Sequence, residues 1–175
     1  VYLSFVRKDI FMKKHLPLYL VTLLFIIAGV AFCFAPIAVK TTSGETISFF
    51  ESLNYGNYGR FTAGNIVAIC FIGSGLLLLI VSLILTLVKP DLLSGLKVFL
   101  LITGALLVIT GGVLVGCSYI LFHEYGPKGV GIEGSGTDGN TQWGAIVSSI
   151  ITILGGIMML PVAIVSIPKK EVKPY

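Results

Sequence analysis

Residues 61–88 read FTAGNIVAICFIGSGLLLLIVSLILTLV, 28 positions from Phe61 to Val88 without an Asp, Glu, Lys, Arg or His. The run is continuously apolar, unlike the alternating strands of a lipid-facing barrel. A helix of about 20 such residues, rising 1.5 Å each, crosses the roughly 30 Å hydrocarbon core of a bilayer. It also satisfies its own backbone hydrogen bonds, which lipid cannot do.

Working outward, three more stretches share this character. Leu16–Val39 holds 24 residues free of ionisable side chains, Val98–Phe122 holds 25 and Trp143–Pro168 holds 26. The whole chain of 175 residues is 55% hydrophobic and 11% charged, with a mean hydropathy of +1.00. Soluble domains carry about 25% charged residues, so a water-soluble globule and a disordered chain are both excluded. The expected fold is all-α: a polytopic four-transmembrane-helix bundle with spans near 16–39, 61–88, 98–122 and 143–168. Residues 40–60 and 123–142 form outer loops. Residues 1–15 form a cytoplasmic N-terminal segment, and 169–175 a cytoplasmic tail.

Charge sets the expected orientation. Nine basic residues fall on one side: Arg7, Lys8, Lys13, Lys14, Lys89, Lys97, Lys169, Lys170 and Lys173. Three fall on the other, Lys40, Arg60 and Lys128. Basic residues stay on the cytoplasmic side, which places both termini inside. The pI of about 9.0 reflects this topology and not a nucleic-acid partner. Phe32, Phe34, Tyr119, Phe122, Tyr125 and Trp143 gather near the outer helix ends, where amphipathic rings prefer to lie. Residues 47–53 read either as a short interfacial helix or as a loop folded back over the helix ends.

Met12-Lys13-Lys14 before an apolar run has the form of a translation start, leaving residues 1–11 as an upstream extension or a short cytoplasmic stub. The first apolar run exceeds the 7–15 residues of a signal-peptide core, so it is expected to stay as a true helix. The two halves also carry a candidate duplication. Shifted by 80 residues, Gly64, Ile66, Val67, Gly75 and Ile84 meet Gly144, Ile146, Val147, Gly155 and Ile164. Shifted by 83, Leu23, Leu24, Ile26, Gly29 and Val30 meet Leu106, Leu107, Ile109, Gly112 and Val113. Two tandem helical hairpins of like orientation would produce this pattern.

No ionisable residue is expected inside a span, which argues against proton relay, ion coupling and intramembrane proteolysis. His15 and His123 fall on opposite faces and cannot share a metal. Cys33, Cys70 and Cys117 lie within spans as small hydrophobes, so no loop disulfide is expected. The Gly-rich segment 126–140 lacks the Gly-Lys-Ser/Thr ending of a phosphate loop. No catalytic residue, cofactor or metal is therefore assigned. An enzyme using His123, Glu124 and Asp138 at the outer face is a distant third reading.

Glycine carries the stronger signal. Gly112 and Gly116 form a GxxxG motif with Gly104 and Gly111 nearby, and Ser148, Thr152, Gly155 and Gly156 line the fourth helix. Small residues let helices approach where lipid supplies no hydrophobic drive. Such a face packs either within one bundle or against a second copy or another membrane subunit. The layout resembles that of tetraspan proteins such as claudins. The first outer loop lacks the claudin Trp and Cys pair, however, and the second lacks the Cys-Cys-Gly of tetraspanins, so no family is assigned. The leading expectation is a non-enzymatic integral membrane protein of the plasma membrane, bacterial in character, acting by packing with itself or a partner as an accessory, assembly or protective subunit. The alternative is a small channel or carrier for a neutral or hydrophobic solute.

Overall fold

The computed structural model of the protein describes residues 2–39, 46–53, 59–88, 94–117 and 143–167. The Gly-rich segment, with His123, Glu124 and Asp138, lies outside the described residues, as do most of both expected outer loops and the tail 169–175.

The first helix, α1 (Tyr2–Phe32), is 31 residues long and has Pro17 inside it. Proline deprives the carbonyl four residues back of its donor, and here it falls where the charged N-terminal part gives way to the apolar run. The apolar helix then extends from Leu16 to Phe32, about 25 Å at 1.5 Å per residue. It ends seven residues before the ionisable-residue boundary at Val39. The cause is local. Pro36 disfavours helical backbone at Ala35, and the chain tightens through Cys33 N–H to Val30 O (3.0 Å), Phe34 N–H to Ala31 O (3.1 Å) and Ala35 N–H to Phe32 O (3.0 Å).

The chain next forms β1 (Pro36–Val39), which pairs antiparallel with β2 (Thr46–Ser48). This small ladder is a departure from an entirely helical chain. A single helical turn, α2 (Phe49–Ser52), follows directly. Phe49 is fully buried and its N–H donates to Cys33 O at 3.1 Å. Phe50 stacks on Phe34 at a ring separation of 4.5 Å. Of the two readings of residues 47–53, the structure therefore takes the loop folded back over the end of α1, with one helical turn within it.

Three long helices complete the chain: α3 (Gly59–Val88), α4 (Ser94–Gly116) and α5 (Trp143–Val165). Each is long and apolar enough to cross a membrane; the apolar part of α1 is shorter. The surface they present is oily. Phe34, Leu77, Phe99, Leu106 and Ile164 are each more than 60% exposed, while Tyr19, Thr22, Asn65, Ser82, Lys97, Ser148 and Thr152 are buried. A water-soluble bundle has the reverse pattern, so the solvent this surface fits is lipid.

The helices pack in the order α1, α5, α4, α3, while α1 and α3 touch only sparsely. Burial follows the packing. On α3 the buried positions are Asn65, Ala68, Ile72, Gly75, Leu79, Ser82 and Thr86, alternating three and four apart as in a coiled-coil seam. On α1 they are Tyr19, Thr22, Ile26, Gly29 and Cys33, again a single seam. The helices α4 and α5 each have two neighbours and carry broader buried faces.

These seams recur along the chain. Every buried position of α3 has a buried counterpart 80 residues later on α5, from Ala145 through Thr152 and Gly155 to Ser166. Every buried position of α1, and Cys33 just past it, likewise meets a buried residue 82 later on α4: Leu101, Gly104, Val108, Gly111 and Val115. The contacts recur with them. A β-carbon on Gly155 would lie 2.8 Å from Ile26 Cγ1, and one on Gly75 would lie 2.5 Å from Val108 Cγ2. Gly29 abuts Thr152 as Gly111 abuts Ile72. The structure thus matches Gly29 with Gly111, where an offset of 83 matches it with Gly112.

Candidate functional site

The eight small residues of α4 and α5 all meet other helices of the same chain. A β-carbon on Gly104 would meet Met159 and Gly75; on Gly111, Ile72 and the Ala68 carbonyl; on Gly112, Ile153 and Thr152; on Gly116, Ser149. On Gly155 it would meet Ile26, and on Gly156, Ile109 and the Ala105 carbonyl. Ser148 donates from Oγ to Gly29 O at 2.6 Å and lies 3.1 Å from Cys33 Sγ. Thr152 packs on Gly29, and its buried Oγ1 has no hydrogen-bond partner. The glycine faces are filled from within the chain, so a partner would have to meet another surface.

A second polar grouping was not visible as a motif. The Tyr19 hydroxyl, on α1, lies 3.0 Å from Ser82 Oγ and 3.2 Å from Thr86 Oγ1 on α3, and 3.4 Å from Ser166 Oγ just past α5. Thr86 Oγ1 donates to Ser82 O and Ser166 Oγ to Val162 O, each at 2.8 Å. With those protons committed, both oxygens act as acceptors toward Tyr19. A tyrosine hydroxyl has one proton and also accepts. It therefore donates to Thr86 or Ser166 while accepting from Ser82, and one side chain ties three segments together.

Lys97 stands at the same level. The antiparallel helices α3 and α4 touch at Gly75 and Gly104, and α5 meets Gly104 through Met159. Ser82 lies seven residues beyond Gly75, Lys97 seven before Gly104 and Ser166 seven beyond Met159. Each step is two turns along the same helix face, toward the same end of the bundle. All four helical segments thus deliver a polar side chain to one layer.

Lys97 is 1% exposed and is the only Asp, Glu, Lys, Arg or His among the described side chains. The sequence reading starts the third span at Val98, just after Lys97; the structure places Lys97 within the apolar helix Ser94–Gly116. The helix α4 begins at Ser94, a good capping residue, so Lys97 sits inside its first turn. Charge-free runs mark where charge stops, not where a helix starts, and a lysine stem is itself apolar. Leu101 and Gly104 behind it, at seam spacing, were the signal that would have placed it inward.

Cys33 is buried, Cys117 is half-buried and Cys70 is exposed; all three are free thiols. Among the described residues, the layer around Tyr19 offers hydroxyls and the Lys97 amino group.

No protein-family model matches the chain, and comparison with curated proteins and with solved structures likewise gave no match.

Proposed function

We propose that the protein is a non-enzymatic integral membrane protein that acts by packing against itself or another membrane subunit, in an accessory, assembly or protective role. The observation that carries this reading is the side of the bundle between α1 and α3. The helices α4 and α5 are each gripped on two sides, whereas α1 and α3 are gripped on one and meet each other sparsely. An apolar flank left unfinished within the chain is where a further helix would gain the most contact.

In this reading α1 is a fourth span. Its 17 apolar residues lie at the short end of what crosses a bilayer, and long basic side chains at its N-terminal end reach the interface by snorkelling. The nine-to-three split of Lys and Arg supports cytoplasmic termini, and the Met12-Lys13-Lys14 start leans toward a bacterial plasma membrane. The matched seams at offsets of 80 and 82 support two tandem hairpins, α1 with α3 and α4 with α5.

The test is crosslinking in native membranes followed by mass spectrometry. A reproducible partner, or a self-crosslink through α1 or α3, supports the proposal. A strictly monomeric protein with no partner after mild-detergent extraction contradicts it. The polar layer around Tyr19 favours a second reading, a carrier for a neutral or hydrophobic solute. Solute flux into vesicles containing the purified protein, lost in Tyr19→Phe, would support that reading, and its absence would remove it.

A further inference from the structure

The two hairpins are joined to one another by equivalent seams, α1 on α5 and α3 on α4. Their internal seams should then be equivalent too, and they are not. Between α4 and α5 the close approach depends on Gly112, Gly116 and Gly156. At the places corresponding to Gly112 and Gly156, 82 residues earlier on α1 and 80 earlier on α3, stand Val30 and Leu76, while Gly116 corresponds to Phe34, past the end of α1 and stacked on Phe50. Branched side chains at such positions keep two helix backbones further apart than glycine does. Gly73 confirms the consequence. It corresponds to Ile153, which fills the space beside Gly112, yet a β-carbon on Gly73 would meet nothing within 4 Å. Toward the Lys97 end, Tyr19 bridges the same seam through Ser82 and Thr86.

We propose that the α1–α3 seam is a lateral gate in the bundle, and that the Tyr19 hydroxyl is its latch. When the latch releases, α1 swings away from α3 at the Lys97 end while remaining seated on α5 through Gly29 and Gly155. The α4–α5 seam stays closed, because glycine packing along its length leaves no bulky residue to wedge it. The gate is a property of the chain itself and does not depend on the presence of a partner or a solute.

Spin labels on lipid-facing positions read the gate without occupying it. Leu20 and Ile84 flank the α1–α3 seam at the level of Tyr19, and Phe99 and Ile164 flank the α4–α5 seam at the same end. Both pairs are introduced as cysteines in a full-length chain lacking Cys33, Cys70 and Cys117, and distances are measured in lipid vesicles. Tyr19→Phe is expected to raise the population of long Leu20–Ile84 distances about five-fold, the shift that one lost hydrogen bond of ordinary strength produces. The Phe99–Ile164 distribution is expected to stay unchanged. A second variant works in the opposite sense: Val30→Gly with Leu76→Gly gives the α1–α3 seam the glycine pattern of α4–α5 and is expected to narrow the Leu20–Ile84 distribution. Unchanged distances in both variants would overturn the proposal. So would equal broadening of both pairs in Tyr19→Phe, which would mean general loosening. Failure to capture a partner would leave this result intact, so the two proposals fail separately.

Discussion

The seam between α4 and α5 and the seam between α1 and α3 each join two consecutive long helices. Residue for residue they occupy corresponding places, yet one is closed and the other is sparse. The difference does not come from hydrophobicity, since all four helices are apolar. It comes from side-chain volume at a few positions. Glycine at 112, 116 and 156 lets the α4 and α5 backbones approach, whereas the positions corresponding to 112 and 156 carry the larger Val30 and Leu76. In lipid, where apolar surface has nothing to gain by leaving its solvent, such steric detail decides which helices stay together.

The comparison can be broken most severely at the seams that both hairpins share. Gly29 abuts the Thr152 backbone and side chain, and a β-carbon on Gly75 would lie 2.7 Å from the Gly104 carbonyl. Backbone cannot move aside cheaply, so Gly29→Val and Gly75→Val should each destabilise the protein by about 3 kcal/mol in detergent unfolding. Similar losses at the two positions would reflect the matched packing, whereas a loss at one alone would show that the seams only look alike.

Gly156→Leu copies the α3 residue Leu76 into α5. A β-carbon there would lie 2.7 Å from Ile109 Cγ1, with the Ala105 carbonyl at 3.2 Å, so α4 and α5 must separate. The expected loss is about 2 kcal/mol, together with a larger fraction of protein sensitive to protease in the loop between them.

Tyr19→Phe removes a hydroxyl shared by Ser82, Thr86 and Ser166. Intramembrane hydrogen bonds are modest, and the expected cost is about 1 kcal/mol in the same unfolding assay. Gly73→Ala should have the smallest effect. With nothing within 4 Å of the new methyl group, stability should stay within about 0.5 kcal/mol, any change being a gain from helix propensity. A large loss at Gly73 would mean that the α1–α3 seam is closed.

Much of this architecture is legible in the sequence, for a physical reason. A membrane-spanning helix must be continuously apolar, and that requirement locates α3 and α5 to within three residues, whereas α4 runs from Ser94 to Gly116 against an expected 98–122. Their termini are less visible. The run from Cys33 to Val39 is as apolar as the helix before it, and only Pro36 hints that the backbone leaves the helix there. Lys97 misleads in the other direction, because a charged residue reads as a boundary although its helix begins at Ser94. The glycines of α4 and α5 stand out as packing positions, but spacing alone does not say whether their partner lies in the same chain. The Tyr19 layer is the hardest to foresee. Its members come from positions 19, 82, 86 and 166, and ordinary hydroxyls carry no motif; they meet only after four helices have been arranged.

The helix pairs α1–α3 and α4–α5 correspond in their buried positions but differ in how closely the two helices of each pair meet. The most direct measurement is the pair of spin-label distance distributions in the otherwise unaltered fold, in lipid vesicles at one temperature. A broad Leu20–Ile84 distribution is expected beside a narrow Phe99–Ile164 distribution. Two distributions of equal width would contradict that difference.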